Sequence, residues 1–349
     1  VKYEIPLPYA AMKSAEHHSK FIEMILQYSE HIDTVYLPLG HLDANGRASF
    51  GIRSANANGV LDIGKAETFI KELFKATEGK IKYKILMNDL YPKAVLENWG
   101  LTYKKVKYYQ EMAEIESIVV ADISVIDKSL GMTDTDFPKF CLSTNATTSL
   151  KSLSSFLIYD VGNKINGVVF NRDDNRSPEL LQQFIDSHRM LLRNRKKILM
   201  LNEGCALYCP YKQAGDIEIQ YDNNMPTATN IHSQGCAMIA NHNPWLFLTS
   251  PFLTNEMLAH PTFSQFVGKI AGRNLEPYMI ENILRYYLYN EHLPISNLGN
   301  IHQLKYINTK ELGQEFSDLV LTCAKDCAMC RKCEKYFKGI LEKQAVPAK

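Results

Sequence analysis

Along the chain, short apolar runs bounded by loops alternate with longer stretches in which apolar residues recur at helical spacing. That alternation predicts a parallel β/α architecture: a strand buried on both faces reads as a brief continuous apolar run, and the helix that covers it keeps one apolar stripe. Eight runs predict strands, over Tyr3–Tyr9, Thr34–Leu39, Tyr83–Met87, Ser117–Ala121, Lys139–Ser143, Gly167–Asn171, Lys197–Asn202 and Phe266–Ala271. Helical patterns lie between several of them, over Ala15–Ser29, Lys65–Thr77, Pro92–Glu97 continuing towards Met112, and Pro178–Arg193. The last opens on Ser177 as N-cap, Pro178 at the first helical position and Glu179 in the first turn, a start signal with a mechanism. Glu276–Tyr289 predicts a closing helix after the eighth strand. Eight such units predict a (β/α)₈ TIM-like barrel over residues 1–292, with a long loop after strand 7 and a cysteine-rich C-terminal tail over 293–349 packing on the barrel.

In such a barrel the functional groups sit where strands end and loops begin. The polar residues just past the predicted strands are His41, Asn88 and Asp89, Asp122, Ser143 and Asn145, Arg172 and Asp173, Asn202 and Glu203, and Arg273. The stretch from Glu203 to Pro244 is too long for a routine connection and is rich in glycine and asparagine, and loops of that length commonly carry function. His41 opens another glycine-containing loop that includes Arg47 and Arg53, to be read as a ligand-covering lid or as an exposed loop without chemistry. Glu203 is a general acid or base if burial raises its pKa, or else a cap for the backbone amides that follow it.

Composition narrows the classes of function. The chain has 349 residues, 46% of them hydrophobic, enough for a sizeable core. Lys and Arg total 39 against 38 Asp and Glu, so no net basic field gathers nucleic acid. The apolar runs fall far short of the roughly 20 residues that cross a bilayer, and the first residues read as a strand rather than a leader. A cytoplasmic protein with no membrane partner is therefore expected.

The eight cysteines then change the picture. Cys205, Cys209 and Cys236 fall in the long loop, Cys323, Cys327, Cys330 and Cys333 within eleven residues of the tail, and Cys141 alone inside a strand run. Clustered thiols in a reducing compartment point to metal rather than to disulfides. Four thiols at Cys-x₃-Cys-x₂-Cys-x₂-Cys suit an iron–sulfur cluster, with structural zinc as the alternative. The first three of them match the spacing used by radical S-adenosylmethionine enzymes, but they follow the last strand instead of the first and no Gly-rich methionine-binding stretch accompanies them. In the long loop three cysteines leave a fourth ligand to be supplied by His232, His242, the tail or a substrate, and an open coordination position is what a catalytic metal uses. Cys141 reads as a small core residue.

The segment Ile198–Tyr211, ILMLNEGCALYCPY, resembles the signature of the collagenase-like peptidase family, in which a strand runs into Asn-(Glu/Gly)-Gly-Cys and then a second cysteine. Lys269-Ile270-Ala271-Gly272-Arg273, followed by a tyrosine-rich helix, resembles that family's Lys-Ile-(Glu/Ala)-Gly-Arg strand end, and Phe140–Asn145 and Val168–Arg172 fit the same order. The similarity spans roughly Lys80 to Tyr289, and the cysteine tail lies outside it. The resemblance implies an iron–sulfur protein acting in oxygen-independent hydroxylation, on transfer or ribosomal RNA bases or on the ubiquinone ring, with a prephenate-like oxygen donor. It implies Cys205, Cys209 and Cys236 as ligands of a 4Fe–4S cluster. Arg172 and Arg273 would hold a carboxylate-bearing co-substrate through their planar forks, or close the barrel rim as ion pairs. Asn145, Asn202, His41 and Lys269 are carried with them as candidate substrate contacts, and Glu203, Arg172 and Arg273 as candidate catalytic residues.

Neither a Gly-x-Ser-x-Gly elbow nor a His-Glu-x-x-His helix occurs, so the family name's peptidase activity has no support in the residues. The expectation is an iron–sulfur hydroxylase or related redox enzyme for a small aromatic or carboxylate substrate, with one cluster or two. The alternative is a non-catalytic or electron-transfer subunit beside a related barrel protein. RNA-base hydroxylation ranks below both.

Overall fold

A computed structural model of the chain describes residues 1–42, 48–50, 63–88, 92–130, 135–146, 149–212, 231–298 and 304–345. Eight parallel strands form a closed barrel: β1 (Tyr3–Pro6), β2 (Ile32–Pro38), β3 (Lys82–Met87), β4 (Ile115–Val120), β5 (Lys139–Leu142), β6 (Ile165–Val169), β7 (Lys196–Met200) and β8 (Val267–Lys269). Each strand pairs with the next, and β8 returns to β1 with Tyr3 opposite Gly268 and Glu4 opposite Lys269. This is the (β/α)₈ fold expected from the eight apolar runs, and each predicted strand overlaps an observed one. β1 and β8 are shorter than their apolar runs: β1 stops at Pro6 and β8 holds only three residues.

The helices labelled here are α1 (Ala15–Gln27), α2 (Ile63–Ala76), α3 (Trp99–Met112), α4 (Ser124–Leu130), α5 (Leu150–Ile158), α6 (Pro178–Ser187), α7 (Ile231–His242), α8 (Pro277–Tyr289), α9 (Gln314–Leu321) and α10 (Lys332–Ala345). Two predicted helices are interrupted. The pattern from Pro92 towards Met112 breaks at Asn98, which precedes α3 as its N-cap. The pattern over Pro178–Arg193 breaks at His188, whose ring nitrogens contact Phe184 O (3.0 Å) and Ser154 Oγ (2.9 Å) and so tie the helix end to α5. Ser177 stands at the expected N-cap of α6 without making a side-chain cap bond. In contrast, α5 carries a full capping box between Ser149 and Ser152.

Two apolar regions result. The larger lies between the barrel and its helices and takes in Ile5, Leu37, Ile85, Ile118, Phe140, Val168 and Leu199 from successive strands. The smaller joins Tyr36, Leu86, Val119, Cys141, Val169, Ile198 and Val267, one from each strand of β2 to β8, and is the filling of the barrel itself. Each fully buried aliphatic side chain contributes roughly 1.5–3 kcal/mol. Cys141 is buried there opposite Gly167, where an added Cβ would stand 3.1 Å from the thiol sulfur. It is the packed core residue the sequence suggested.

The barrel interior also carries charge. Glu4 takes Lys269 at 3.1 Å and Lys84 at closer range, Lys84 meets Glu116 at 3.4 Å, and Lys196 joins Glu116 to Asp33, the last at 2.5 Å. Signs alternate along this chain of six, so each charge is flanked by its opposite. Glu4 and Lys84 are almost wholly buried, while the Lys196 end is about a third exposed. Deleting one member would strand its neighbour in a dry interior.

Beyond α8, an isolated bridge between Pro294 and Asn308 and the helices α9 and α10 bring the chain back over the barrel. Phe316 of α9 meets the Tyr336 ring of α10 at 5.2 Å and a tilt of 41°, and stacks on Phe252 beside the barrel at 6.4 Å.

Candidate functional site

Of the predicted site residues, Asn145, Arg172, Asn202, Glu203, Lys269 and Arg273 lie at the ends of β5 to β8. Arg172, just past β6, gives one guanidinium nitrogen to Glu203 Oε2 (2.6 Å) and another to Asn145 Oδ1 (2.8 Å). The three strand ends of β5, β6 and β7 are thereby joined by one buried fork. Of Arg172's two expected roles, the ion pair at the rim is present. A fork already shared between Glu203 and Asn145 is not waiting for a co-substrate carboxylate. Asn145 Nδ2 remains buried without a hydrogen-bond partner.

Glu203 has the opposite protonation from that required of a general acid. Burial alone would raise its pKa, but Arg172, Lys212 and the Cys205 amide reverse this and hold it down to about 2. Its Oε1 accepts the Cys205 N–H at 3.2 Å, which is the amide-capping role considered for it. Asn202 is also spent on structure. It donates to Ala271 O (2.9 Å) and Leu298 O (2.7 Å) and accepts from Ala271 N–H (2.6 Å), locking β7 to the end of β8 and to the tail segment. His41 lies on a two-stranded antiparallel ribbon formed by Gly40–Leu42 and Ala48–Phe50, opposite Ser49, and its side chain is outside the described residues. Arg47, Arg53 and Asp89 are likewise outside them. Asp122 turns its carboxylate to Ser124 N–H (2.8 Å) as a local cap at the start of α4.

At the end of β8, Lys269 and Arg273 flank a different surface. The Lys269 ammonium stands 3.5 Å above the Tyr36 ring and 3.1 Å from Glu4. The Tyr36 hydroxyl donates to Ile270 O at 2.6 Å. Arg273 lies 6.0 Å from the Tyr9 ring and within electrostatic reach of Tyr36. Its Nη1 is buried without a hydrogen-bond partner.

The loop cysteines gather on the β7 side of the rim. Cys205 sits beside Glu203, Lys212 and Arg172; burial pushes its thiol up, and the carboxylate adds to the effect. Tyr208 holds a left-handed backbone at φ 51° between Cys205 and Cys209, strained for a side chain of that size. Cys236 on α7 lies within electrostatic reach of Cys209 and Lys212. Gly235 makes that approach feasible: a Cβ there would fall 2.6 Å from the Tyr211 ring. Of the histidines considered as a fourth ligand, His242 is exposed at the end of α7, and the side chain of His232 is outside the described residues.

The tail quartet folds onto the same rim. Lys325 donates to the carbonyl of Asp173, past β6, and Arg331 lies 6.0 Å from the Trp245 ring. Cys327 and Cys330 occupy the two ends of one helical turn, Asp326 caps that turn at Met329 N–H, and left-handed Lys325 (φ 59°) and Arg331 (φ 47°) bracket it. Cys333 opens α10. Burial pushes the Cys333 thiol up to about 11, with Arg176 opposing and the other three tail thiols adding. Cys327 and Cys333 thus each lie in the field of Cys323 and Cys330. Tyr208 is within reach of Cys327 and Cys323, so both cysteine sets border one stretch of rim.

Arg176 is the functional candidate that sequence reasoning missed. It is buried beneath the quartet, donating to Phe252 O (2.9 Å) and Leu248 O (2.8 Å), with its guanidinium carbon 4.4 Å from the Phe252 ring. Its Nη2 is buried without a hydrogen-bond partner; burial lowers its pKa, and Cys333, Cys323, Cys327 and Tyr287 oppose that. The only hint in the sequence was a second arginine in the turn after β6. Among the described residues, no group of three or more His, Cys, Asp or Glu side chains is already drawn together around a single-ion position. The chemistry of the donor set nevertheless suits a thiolate-bound centre, with three of the four tail thiols, Cys323, Cys327 and Cys333, in the field of a buried guanidinium that has an unspent N–H. Cys323, Cys327, Cys330 and Cys333 would hold that centre.

No helix among the described residues is long and apolar enough to cross a membrane. No protein-family model matches the chain, and no curated protein matches it. Among solved structures, the chloride-inhibited dihydrodipicolinate synthase from Acinetobacter baumannii, complexed with pyruvate, is similar at 9% identity with a TM-score of 0.41, over 98% of this chain and 88% of that one.

Proposed function

We propose that the chain is an iron–sulfur oxidoreductase related to the collagenase-like peptidase family, modifying a small aromatic or carboxylate substrate by oxygen-independent hydroxylation or a related redox reaction. The observation that carries this reading is the placement of both cysteine sets on one stretch of the barrel's C-terminal rim, with Lys325 tying the tail to the loop after β6 and Tyr208 lying between the sets. Bound there, an iron–sulfur cluster would supply one-electron chemistry. The chain's own residues supply the setting. Arg176 offsets the negative charge of the tail thiolates, the Arg172–Glu203 pair holds the Cys205 loop in register with β6, and Arg273 offers a buried N–H to a carboxylate.

Anaerobic purification followed by iron, acid-labile sulfide and zinc analysis tests the proposal. Iron and sulfide in comparable amounts support it, and a colourless protein with stoichiometric zinc overturns it.

A second reading, an electron-transfer subunit beside a related barrel protein, is favoured by one observation. Cys330 and its neighbour Met329, 82% exposed, put the quartet close to the surface, where a redox partner can approach. Turnover by the isolated chain would exclude that reading.

A further inference from the structure

Lys269 is the unusual group of the barrel interior. It shares the Glu4 carboxylate with Lys84, which also has Glu116 at 3.4 Å. Lys84 is therefore doubly countered, whereas Lys269 has half of one carboxylate and the face of Tyr36. Burial and the neighbouring Lys84 charge lower its pKa, against the pull of Glu4, the direction in which desolvation makes a lysine a better nucleophile. It is the last residue of β8, on the end of the barrel where chemistry is placed, and a tenth of its side chain reaches solvent.

A second observation at the same place points to the ligand. Arg273, four residues on, lies with Lys269 around Tyr36, and its Nη1 is a buried donor with no hydrogen-bond partner. A buried guanidinium N–H left without an acceptor carries an uncompensated desolvation cost, which an incoming carboxylate would recover. An amine nucleophile beside a carboxylate anchor fits a ligand with a ketone and a carboxylate close together.

We propose that Lys269 takes a 2-oxo acid as a protonated imine, with Arg273 holding its carboxylate. The neutral amine attacks the carbonyl carbon, the C=O π pair moves to oxygen, and the carbinolamine expels that oxygen as water while the nitrogen lone pair forms C=N. Overall, ammonium plus ketone gives iminium plus water, with no oxidant or reductant. One positive charge stands on the nitrogen before and after, so Glu4 and the Tyr36 ring face hold the product as they hold the ammonium. Carbonyl capture is a different chemistry from cluster redox, and it uses the end of β8 beside the cysteine-bearing end of β7.

The test is reductive trapping on the full chain, with pyruvate as the carboxylate probe, dihydroxyacetone as the neutral one, and borohydride as reductant. It is run on metal-loaded and metal-depleted protein, so that its result stands apart from the iron analysis. Pyruvate should add one reduced pyruvyl group, mapping to Lys269 and absent in Lys269→Met. Arg273→Gln should slow trapping of pyruvate by about tenfold or more, the scale of one charge-assisted contact, and leave dihydroxyacetone trapping unchanged. That comparison uses native Lys269, so it decides the matter even where Lys269→Met fails to fold. Absence of any adduct, an adduct on another lysine, or equal slowing of both probes by Arg273→Gln would overturn the proposal.

Discussion

Lys325 donates its ammonium to the main-chain carbonyl of Asp173, 152 residues earlier, and so fastens the cysteine tail to the loop after β6. Burial lowers the Lys325 pKa against the pull of Asp174 and Asp173. A hydrogen bond from a charged group is worth about 1.5–3 kcal/mol. Lys325→Met should therefore release the tail locally. Amide exchange across residues 323–333 should speed up by about tenfold or more, with the barrel strands unaffected. Unchanged exchange in the tail would mean that α10 alone keeps it in place.

The Arg172–Glu203 pair should show strong coupling. Arg172→Met alone leaves a buried carboxylate unpaired and should cost about 3–5 kcal/mol in denaturant unfolding. Combined with Glu203→Met it should cost much less than the two single changes together, because neither charge is then stranded. Additive losses would show that the two side chains act separately.

Acid should act through Glu4. Burial by itself would raise the Glu4 pKa, but Lys84 and Lys269 overcome it and hold the group near 2, against 4.5 for an ordinary glutamate. A depressed carboxylate stabilises the folded state fully above the unfolded value and loses that contribution as pH falls through the folded one. Stability should decline between pH 4.5 and about 2, by about 3 kcal/mol from this group. Glu4→Gln should flatten that part of the pH profile while lowering stability at neutral pH. A wild-type slope retained in the variant would assign acid unfolding elsewhere.

Metal content should divide between the cysteine sets. Replacing Cys323, Cys327, Cys330 and Cys333 with alanine should remove part of the bound iron and leave the remainder on the loop thiols. Complete loss with an intact circular dichroism spectrum would instead mean a single shared centre. Arg176→Met should weaken iron retention by the tail, since it removes the cation that its thiols face.

The barrel was legible because its evidence is local: Tyr83–Met87 or Lys197–Asn202 announces a buried strand by its own composition. The cysteine sets were legible for the same reason. What binds them together was not. Lys325 finds a backbone carbonyl, which carries no side-chain signature, and Arg176 works by burial against Phe252 and Leu248 O, partners more than 70 positions away. For Glu203 the sequence left two roles open, a raised-pKa acid or base and an amide cap; the contact to the Cys205 N–H is the second, and a single sequence names a carboxylate without naming the arginine that meets it. The same limit hid the charges inside the barrel, where Glu4 and Lys84 interrupt otherwise apolar strands as isolated oddities until the fold sets them side by side.

That the ring is completed by Glu4 against Lys269 places a demand on the timing of synthesis. The two residues are 265 positions apart, so at 5–20 residues per second about 13–50 s separate their emergence from a ribosome. Through that interval β1 has β2 for a neighbour and an open edge on its other side, the kind of edge that recruits foreign strands. Its charged residue helps guard it: a carboxylate within a four-residue strand discourages stacking on another chain, and although Lys84 of β3 can meet it earlier, its second partner, Lys269, comes only with β8. The same glutamate that steadies the finished barrel is, in the nascent chain, a gatekeeper against misassembly.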